Sequence, residues 1–199
     1  MKIKSLALLI CTFILCTPAC IAENVVKETR ETGTFRKISA GGGINVYFTQ
    51  NNSQSIQVEA DKDYIDKIIT RVEGETLVIK MDNKDCSCGA RTTNVYVSVP
   101  ALDEVSISGG SDFYADDLKC SNSFKLRASG GSKAKIGDLK VAENAEISAL
   151  GGADANIKSL TGVKNTNVSA SVGSDCDIKT LQTAECELSA SGGGDVYRN

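Results

Sequence analysis

Four leucines recur in this chain at a fixed interval of 21 residues, at Leu118, Leu139, Leu160 and Leu181. Glycine pairs keep the same interval at 109–110, 130–131 and 151–152, and Val172-Gly173 takes the next place. A repeat of this length is one supersecondary unit that cannot bury its apolar face alone, so neighbouring units must stack. The period therefore predicts a solenoid, which presents long surfaces rather than one deep pocket.

Each repeating unit contains two strands with alternating apolar and polar residues, joined by a glycine-containing turn. Alternation turns one face of every strand inward and the other toward solvent. Helical repeats are longer, about 33 to 47 residues, and leucine-rich repeats carry a denser leucine pattern. The sequence therefore predicts an all-β fold, a parallel β-helix of four to five coils from residue 105. In this fold the four leucines form one ladder, and a second ladder consists of Leu126, Ile147, Val168 and Leu188.

The chain before residue 105 has a less regular residue pattern, without the 21-residue period. Segments rich in β-branched and aromatic residues lie at 46–48, 55–59, 76–80 and 94–99 and predict strands of uneven length. Tyr64, Ile65, Ile68 and Ile69 follow one another at helical spacing, which predicts a single short helix. We therefore expect a linker at 23–34 and one domain at 35–199, with an irregular β half at 35–104 and regular coils at 105–199.

The first 22 residues have the pattern of a signal peptide, with a charged start, an apolar stretch at 6–15 and a small-residue exit. The apolar stretch is shorter than the roughly 20 residues that a membrane-spanning helix needs. Cleavage after Ala22 would release a free protein, whereas acylation of Cys20 would leave a lipoprotein attached to the membrane. Both alternatives predict an exported protein of the periplasm, outer membrane or cell surface.

The composition excludes several classes of function. A net charge of -3 and a pI near 5.1 provide no basic field to attract nucleic acid. Because the chain has no histidine, it cannot form a Ser-His-Asp or Cys-His nucleophile or a Cys/His zinc site. We therefore expect no enzyme activity, no metal site and no cofactor. Five cysteines follow the signal peptide in a spacing that assigns no disulfide pairs: Cys86, Cys88, Cys120, Cys176 and Cys186.

Several segments of the chain, in this order, resemble the auto-transporter adhesin "head GIN" domain family, a domain of unknown function in exported proteins of Bacteroidetes. The resemblance extends from Phe35 to the end of the chain. It implies a β-helical fold and an envelope or surface location. The segments that carry it are Gly43-Ile44-Asn45-Val46, Val58-Glu59-Ala60-Asp61, Ile65-Asp66-Lys67-Ile68, 74–79 and 100–109, together with the Ser-Gly-Gly-Ser repeats. The chain departs from the family pattern at Val172, which replaces a turn glycine.

A column of polar residues just after the turns is the strongest candidate for a binding site. Stacked carboxylates could gather a calcium ion or bind a sugar chain. Alternatively, the aspartates bond nearby backbone amides at a corner, and the lysine among them relieves the repulsion between like charges. The column consists of Asp112, Lys133, Asp154, Asp175 and Asp195.

These features favour an exported, non-enzymatic binding protein that presents β-helix surfaces to a glycan, an envelope protein or another copy of itself through its coil ends. One alternative is a lyase-like enzyme acting on polysaccharide, for which Arg127 near Asp154 is the best available pair. A second alternative is a structural spacer without a ligand. Against a lyase, aromatic residues make up only 5% of the chain, and there is no tryptophan to support sugar rings. Phe113 and Phe124 are expected in the core and Tyr114 at the surface.

Overall fold

A computed structural model describes residues 24–82 and 93–198 of the chain. The predicted signal peptide with Cys20, and the segment with Cys86 and Cys88, lie outside these residues. Strands dominate the described part, and no helix within it is long and apolar enough to cross a membrane.

The strands of the first half are β1 (Val25–Thr29), β2 (Lys37–Gly41), β3 (Asn45–Gln50), β4 (Ser55–Asp61), β5 (Ile68–Glu73), β6 (Thr76–Met81) and β7 (Thr93–Val99). Of these, β3, β4, β6 and β7 are the strands that the sequence predicts, and their side chains largely alternate between the core and the surface.

Strands of the second half follow one another at short intervals around the coils. They are β8 (Glu104–Ser108), β9 (Asp112–Cys120), β10 (Phe124–Ser129), β11 (Lys133–Val141), β12 (Asn144–Leu150), β13 (Asp154–Ser171), β14 (Asp175–Ile178), β15 (Leu181–Ser191) and β16 (Asp195–Arg198).

The second half is a parallel β-helix, as the period predicts. Strands β8, β10, β12, the second part of β13 and β15 pair in parallel along one flank. Strands β9, β11, the first part of β13, β14 and β16 pair in parallel along another. Each coil thus contributes one strand to each flank, and every coil rests on the one before it.

Both predicted ladders are confirmed by the register of these pairs. Leu139 lies opposite Leu118 and Leu160, and Leu160 lies opposite Leu181. The residues of the second ladder are also in register, because Ile147 pairs with Leu126 on one side and with Val168 on the other. Phe113 and Phe124 are almost fully buried, as expected. These apolar ladders form the core of the solenoid.

The turns between strands use a left-handed backbone conformation. Gly109, Gly130 and Gly151 have φ angles of 60°, 61° and 67°. Val172 keeps the same corner with a φ of 57°, although this region is unfavourable for a β-branched residue. The substitution at Val172 therefore preserves the corner and places strain there.

The first half is more regular than its sequence suggests, because it contributes two further coils. Strand β2 pairs in parallel with β8, and β3 pairs in parallel with β9, so β2 and β3 form the coil beneath the regular repeats. Strands β6 and β7 pair in parallel with β2 and β3 on their other side. The β6–β7 coil therefore lies one layer farther out than β2–β3, although it comes later in the sequence.

Antiparallel strands close the N-terminal end of the solenoid. Strand β4 runs antiparallel to β7, β1 runs antiparallel to β4, and β5 forms a hairpin with β6. The segment at 23–34, predicted to be a linker, thus instead contains the outermost strand β1. The predicted short helix is only one 3₁₀ turn (Ile65–Lys67), because Ile68 and Ile69 pair with β6.

The opposite end is open in the described residues. No described strand covers the outer edges of β15 and β16. Leu188 is 37% exposed, whereas Leu126, Ile147 and Val168 in the same ladder are fully buried. The expectation that this end pairs with another copy stays a prediction.

Cys120 and Cys176 are buried thiols within the coils, and Cys186 is half-buried in the last coil. None of the three forms a disulfide among the described residues. Burial raises the pKa of both Cys120 and Cys176 to about 12, which keeps these two thiols protonated and unreactive.

Candidate binding groove

The predicted polar column lies in register along one flank of the solenoid. Lys133 pairs with Asp112 on one side and Asp154 on the other, and Asp175 follows with Asp195 beyond it. All five side chains point outward, because the residues that follow them point into the core. The structure therefore brings the sequence-predicted residues together, one per coil.

Neighbours engage several members of this column. The Asp112 carboxylate accepts hydrogen bonds from the backbone N–H of Lys133 at 3.1 Å and from the Tyr114 hydroxyl at 2.9 Å. The Lys133 ammonium lies 3.3 Å from the Asp154 carboxylate. These contacts are the backbone and charge-relieving roles that the sequence offered as the alternative to ligand binding. In the described part of the chain, no group of three or more acidic or cysteine side chains is placed to hold a metal ion.

A ladder of three stacked tyrosines, which we call the tyrosine ladder, lies beside the column: Tyr96, Tyr47 and Tyr114. The ring of Tyr47 is 5.2 Å from that of Tyr96 and 5.1 Å from that of Tyr114, with interplanar angles of 21° and 15°. Such offset stacking is favourable beyond the area that it buries. The ladder places an aromatic surface on an otherwise polar flank.

Sequence reasoning missed the tyrosine ladder but placed Tyr114 correctly at the surface. The signal was a tripeptide of Asn or Asp, a core residue and tyrosine, present at 45–47, 94–96, 112–114 and 195–197. The core residue fixes the strand's orientation, so the tyrosine after it must point outward. The same tripeptide places Tyr197 on the outer face of the last coil.

The antiparallel cap anchors the outermost ring of the tyrosine ladder. The Tyr96 hydroxyl donates to the Glu59 carboxylate at 2.7 Å, and the Asn94 amide donates to the same carboxylate at 3.2 Å. Lys27 of β1 lies 3.1 Å from Glu59 and 5.2 Å from the centre of the Tyr96 ring. These hydrogen bonds, first that of Tyr96, lower the pKa of Glu59.

The other end of the ladder is held differently. Burial, followed by the hydrogen bond to Asp112, raises the pKa of Tyr114 to about 12. The phenol therefore stays protonated at neutral pH and continues to donate this bond. Tyr96 is thus fixed by a carboxylate on the adjacent strand β4, and Tyr114 by a carboxylate two residues earlier on its own strand.

A groove of about 1090 Å³, which we call the tyrosine groove, continues from Tyr114 along the polar flank. Its floor follows the position of Tyr114 through the later coils, at Lys135, Asn156 and Asp177, and it ends at Tyr197. Tyr197 is 54% exposed, and interaction of its hydroxyl with the Asp195 side chain raises its pKa. The groove is therefore polar along its length and aromatic at both ends.

A tight corner of the chain, at Asp116 and Gly137, forms one side of the groove beside its floor. The pairing of β9 with β11 skips one position, where Gly137 lies against Asp116. A Cβ on Gly137 would collide with the Asp116 carbonyl oxygen, so this corner requires glycine. The chain bends here, and Asp117 and Asp138 extend from the bend along the side of the groove.

Charges of both signs line the tyrosine groove. Lys135, Lys158 and Lys179 project into it and form no ion pair with any described residue, while Lys133 is paired with Asp154. The carboxylates in the lining are those of Asp116, Asp117, Asp138, Asp154, Asp175 and Asp177. The groove thus offers ammonium donors and carboxylate acceptors side by side.

The structure does not form the pair on which a lyase interpretation depends. Arg127 lies on β10, on the other flank, where it binds Glu104 at 3.0 Å and Glu146 at 3.5 Å. Asp154 is paired with Lys133 on β11. The expected proximity of Arg127 and Asp154 is therefore wrong, because successive strands of a coil face different flanks.

The model of one protein family matches residues 34–199, and its description is "Putative auto-transporter adhesin, head GIN domain". The chain belongs to this head GIN family. The resemblance seen in the sequence is therefore confirmed, and the match covers the whole solenoid with all but the first strand of its cap. No curated protein matches this head GIN chain.

Solved structures show that the head GIN fold is shared across distant sequences. A protein from Bacteroides fragilis titled a putative adhesin has 16% identity and a TM-score of 0.67, covering 89% of this chain and 98% of its own. A protein from Parabacteroides distasonis titled a putative lipid binding protein has 15% identity and a TM-score of 0.60 over the same shares of the two chains. A Parabacteroides merdae protein titled a putative adhesin has 19% identity and a TM-score of 0.50, covering 89% of this chain and 97% of its own. At these identities the similarity shows the fold.

Proposed function

We propose that this head GIN protein is an exported, non-enzymatic binding protein of the cell envelope that holds a surface glycan in the tyrosine groove. The observation that carries this proposal is the tyrosine ladder at the head of a groove whose floor is polar. Membership of a family described as adhesins supports a binding role at the surface.

Aromatic rings and polar side chains together suit carbohydrate. A sugar ring has an apolar face of C–H groups and a rim of hydroxyls, so it needs both a flat apolar surface and hydrogen-bonding partners. The face of Tyr114 that is turned away from Tyr47, together with the outward edges of the stacked rings, supplies the first, and the aspartates, lysines and Asn156 supply the second. Ligand sites commonly combine an apolar surface with a few oriented polar groups in this way.

A lipid is less well matched to the same groove. One structural neighbour is titled a putative lipid binding protein. An acyl chain would need to displace water from charged aspartates and lysines without replacing their hydrogen bonds, which is unfavourable. The charged lining therefore supports glycan over lipid as the ligand in this chain.

An array of surface glycans tests the proposal with three proteins. The wild-type chain should bind a subset of glycans, and Tyr114→Ala should weaken this binding about three- to tenfold through the loss of one stacking ring. Tyr64→Ala is the matched control, because Tyr64 lies beside the 3₁₀ turn in the cap, outside the groove. Circular dichroism and thermal melting should show that both variants are folded.

Two results would contradict the proposal. Absence of binding to every glycan on the array would remove its basis. Turnover of an acidic polysaccharide in the presence of calcium, followed by the absorbance of unsaturated products and lost in Asp154→Ala, would show an enzyme instead.

A further inference from the structure

We infer that the glycan is an uncharged chain that lies lengthwise in the tyrosine groove, parallel to the solenoid axis, with about one sugar ring per coil. This inference rests on the proposed function and adds the class of ligand and its direction. It follows from the spacing of the groove residues and from the presence of both signs of charge around them.

The length of the groove matches a short oligosaccharide. Tyr114, Lys135, Asn156, Asp177 and Tyr197 occupy one outward position on five successive coils. Parallel strands lie about 4.8 Å apart, so the column is about 19 Å long. A pyranose ring in an extended chain advances by a comparable distance, so successive rings can meet equivalent positions on successive coils.

The aromatic rings of the groove set the direction of the ligand. Tyr114 stacks on Tyr47 with one ring face, so its other face is directed along the axis toward Lys135. Tyr197 lies at the far end of the same column. The two aromatic ends are therefore separated along the axis rather than across the groove, and a chain must lie lengthwise to touch both.

The lining of the groove carries six carboxylates and four ammonium groups. A polyanion would meet more like than unlike charges there, and a polycation would still meet four like charges at close range. A hydroxyl group both donates and accepts, so it can bond to Lys135 and Asp177 alike. The mixed lining therefore selects an uncharged polyhydroxyl chain over a strongly charged polymer.

A size series of neutral oligosaccharides tests length and direction. The probes are β-1,4-linked oligomers of glucose, xylose and mannose, from dimers to hexamers, with affinities measured by isothermal titration calorimetry. Affinity should increase with length up to about four or five rings and then level off, since the groove spans about 19 Å. Affinity should also change little between low and high salt, because no net charge is neutralised.

Variants at the middle and far end of the groove sharpen the test. Asn156→Ala and Tyr197→Ala should each weaken hexamer binding several-fold, and should leave dimer binding at Tyr114 unchanged. Asn167→Ala is the matched control, because Asn167 lies on the other flank in the second part of β13. Its hexamer affinity should equal that of the wild type.

Each other outcome is decisive. If dimers bind as tightly as hexamers, the lengthwise arrangement is wrong, while carbohydrate binding stands. If polygalacturonate binds more tightly than every neutral chain and is released by salt, the ligand is anionic. If an extended peptide binds to the wild type but not to Tyr114→Ala, and no sugar of either the series or the array binds, the proposed function falls together with this inference.

Discussion

The two ends of the solenoid contrast in how their last coils are covered. At the N-terminal end, β4 pairs with β7, and Val95 and Val97 beneath the cap are almost fully buried. At the other end, nothing in the described residues lies over β15, and Leu188 and Ala190 are exposed although their neighbours in the ladders are buried. The burial of a ladder residue therefore depends on having a coil on both sides, and not on residue type alone.

The largest expected effect on stability comes from truncating a leucine side chain of one ladder, at an interior coil and, for comparison, at the last coil. Leu139→Ala removes a side chain that is 1% exposed between two coils and should lower the free energy of unfolding by about 2–5 kcal/mol. Leu181→Ala changes the half-buried leucine of the last coil and should cost about 1 kcal/mol. Urea unfolding followed by circular dichroism measures both. Equal losses would show that the last coil is covered in solution.

A smaller effect tests the cap through pH. Tyr96, Asn94 and Lys27 favour the charged form of Glu59 and lower its pKa below the ordinary value of 4.5. The stabilisation is therefore fully present above pH 4.5 and is lost as pH falls through the lowered pKa of the folded state. Glu59→Gln should reduce the free energy of unfolding by about 1–2 kcal/mol at neutral pH, with the difference narrowing in acid.

Glu187→Gln provides the comparison at the open end, where this carboxylate is exposed on β15. Its effect on the free energy of unfolding should be within about 0.5 kcal/mol at neutral pH. Urea titrations from neutral to acid pH compare the two variants. A constant difference between Glu59→Gln and wild type at every pH would contradict the role assigned to the Glu59 charge.

The smallest expected effect concerns the corner near the open end. Val172→Gly should raise the free energy of unfolding by about 1 kcal/mol, because it relieves a positive φ at a residue that is already 60% exposed. Gly151→Val introduces the same residue at the equivalent corner one coil earlier, with a φ of 67°, and should be destabilising by a similar amount. Thermal melting of both variants measures the pair. A loss of stability in Val172→Gly would mean that the valine side chain contributes contacts that outweigh the strain.

The regular half could be predicted because its coils follow one another in sequence. Leu118 and Leu139 are 21 residues apart and pair directly, so the period alone places them in one ladder. The polar column was predictable for the same reason. In both cases the order along the chain is the order along the axis.

The tyrosine ladder could not be found from a period. In space the order is Tyr96, Tyr47, Tyr114, which differs from the order in the sequence. The β6–β7 coil is added on the far side of β2–β3, so intervals along the chain no longer measure steps along the axis. The prediction of a short helix was wrong for a related reason, because the pairing of Ile68 and Ile69 with β6 outweighed their helical spacing.

The position of β2 and β3 has a consequence for how the molecule can be shortened. Removing coils from the C-terminal end exposes one intact layer at a time, since β16, β14 and the strands before them succeed one another outward. Deletion from the N-terminal side instead removes the edge strand β1 and then, with β2 and β3, a layer that supports neighbours above and below it. We therefore expect truncation to be tolerated from the C-terminal end but not from the N-terminal end. During synthesis, the coil formed by β2 and β3 gains a neighbour on each side only after residues 76–120 have left the ribosome.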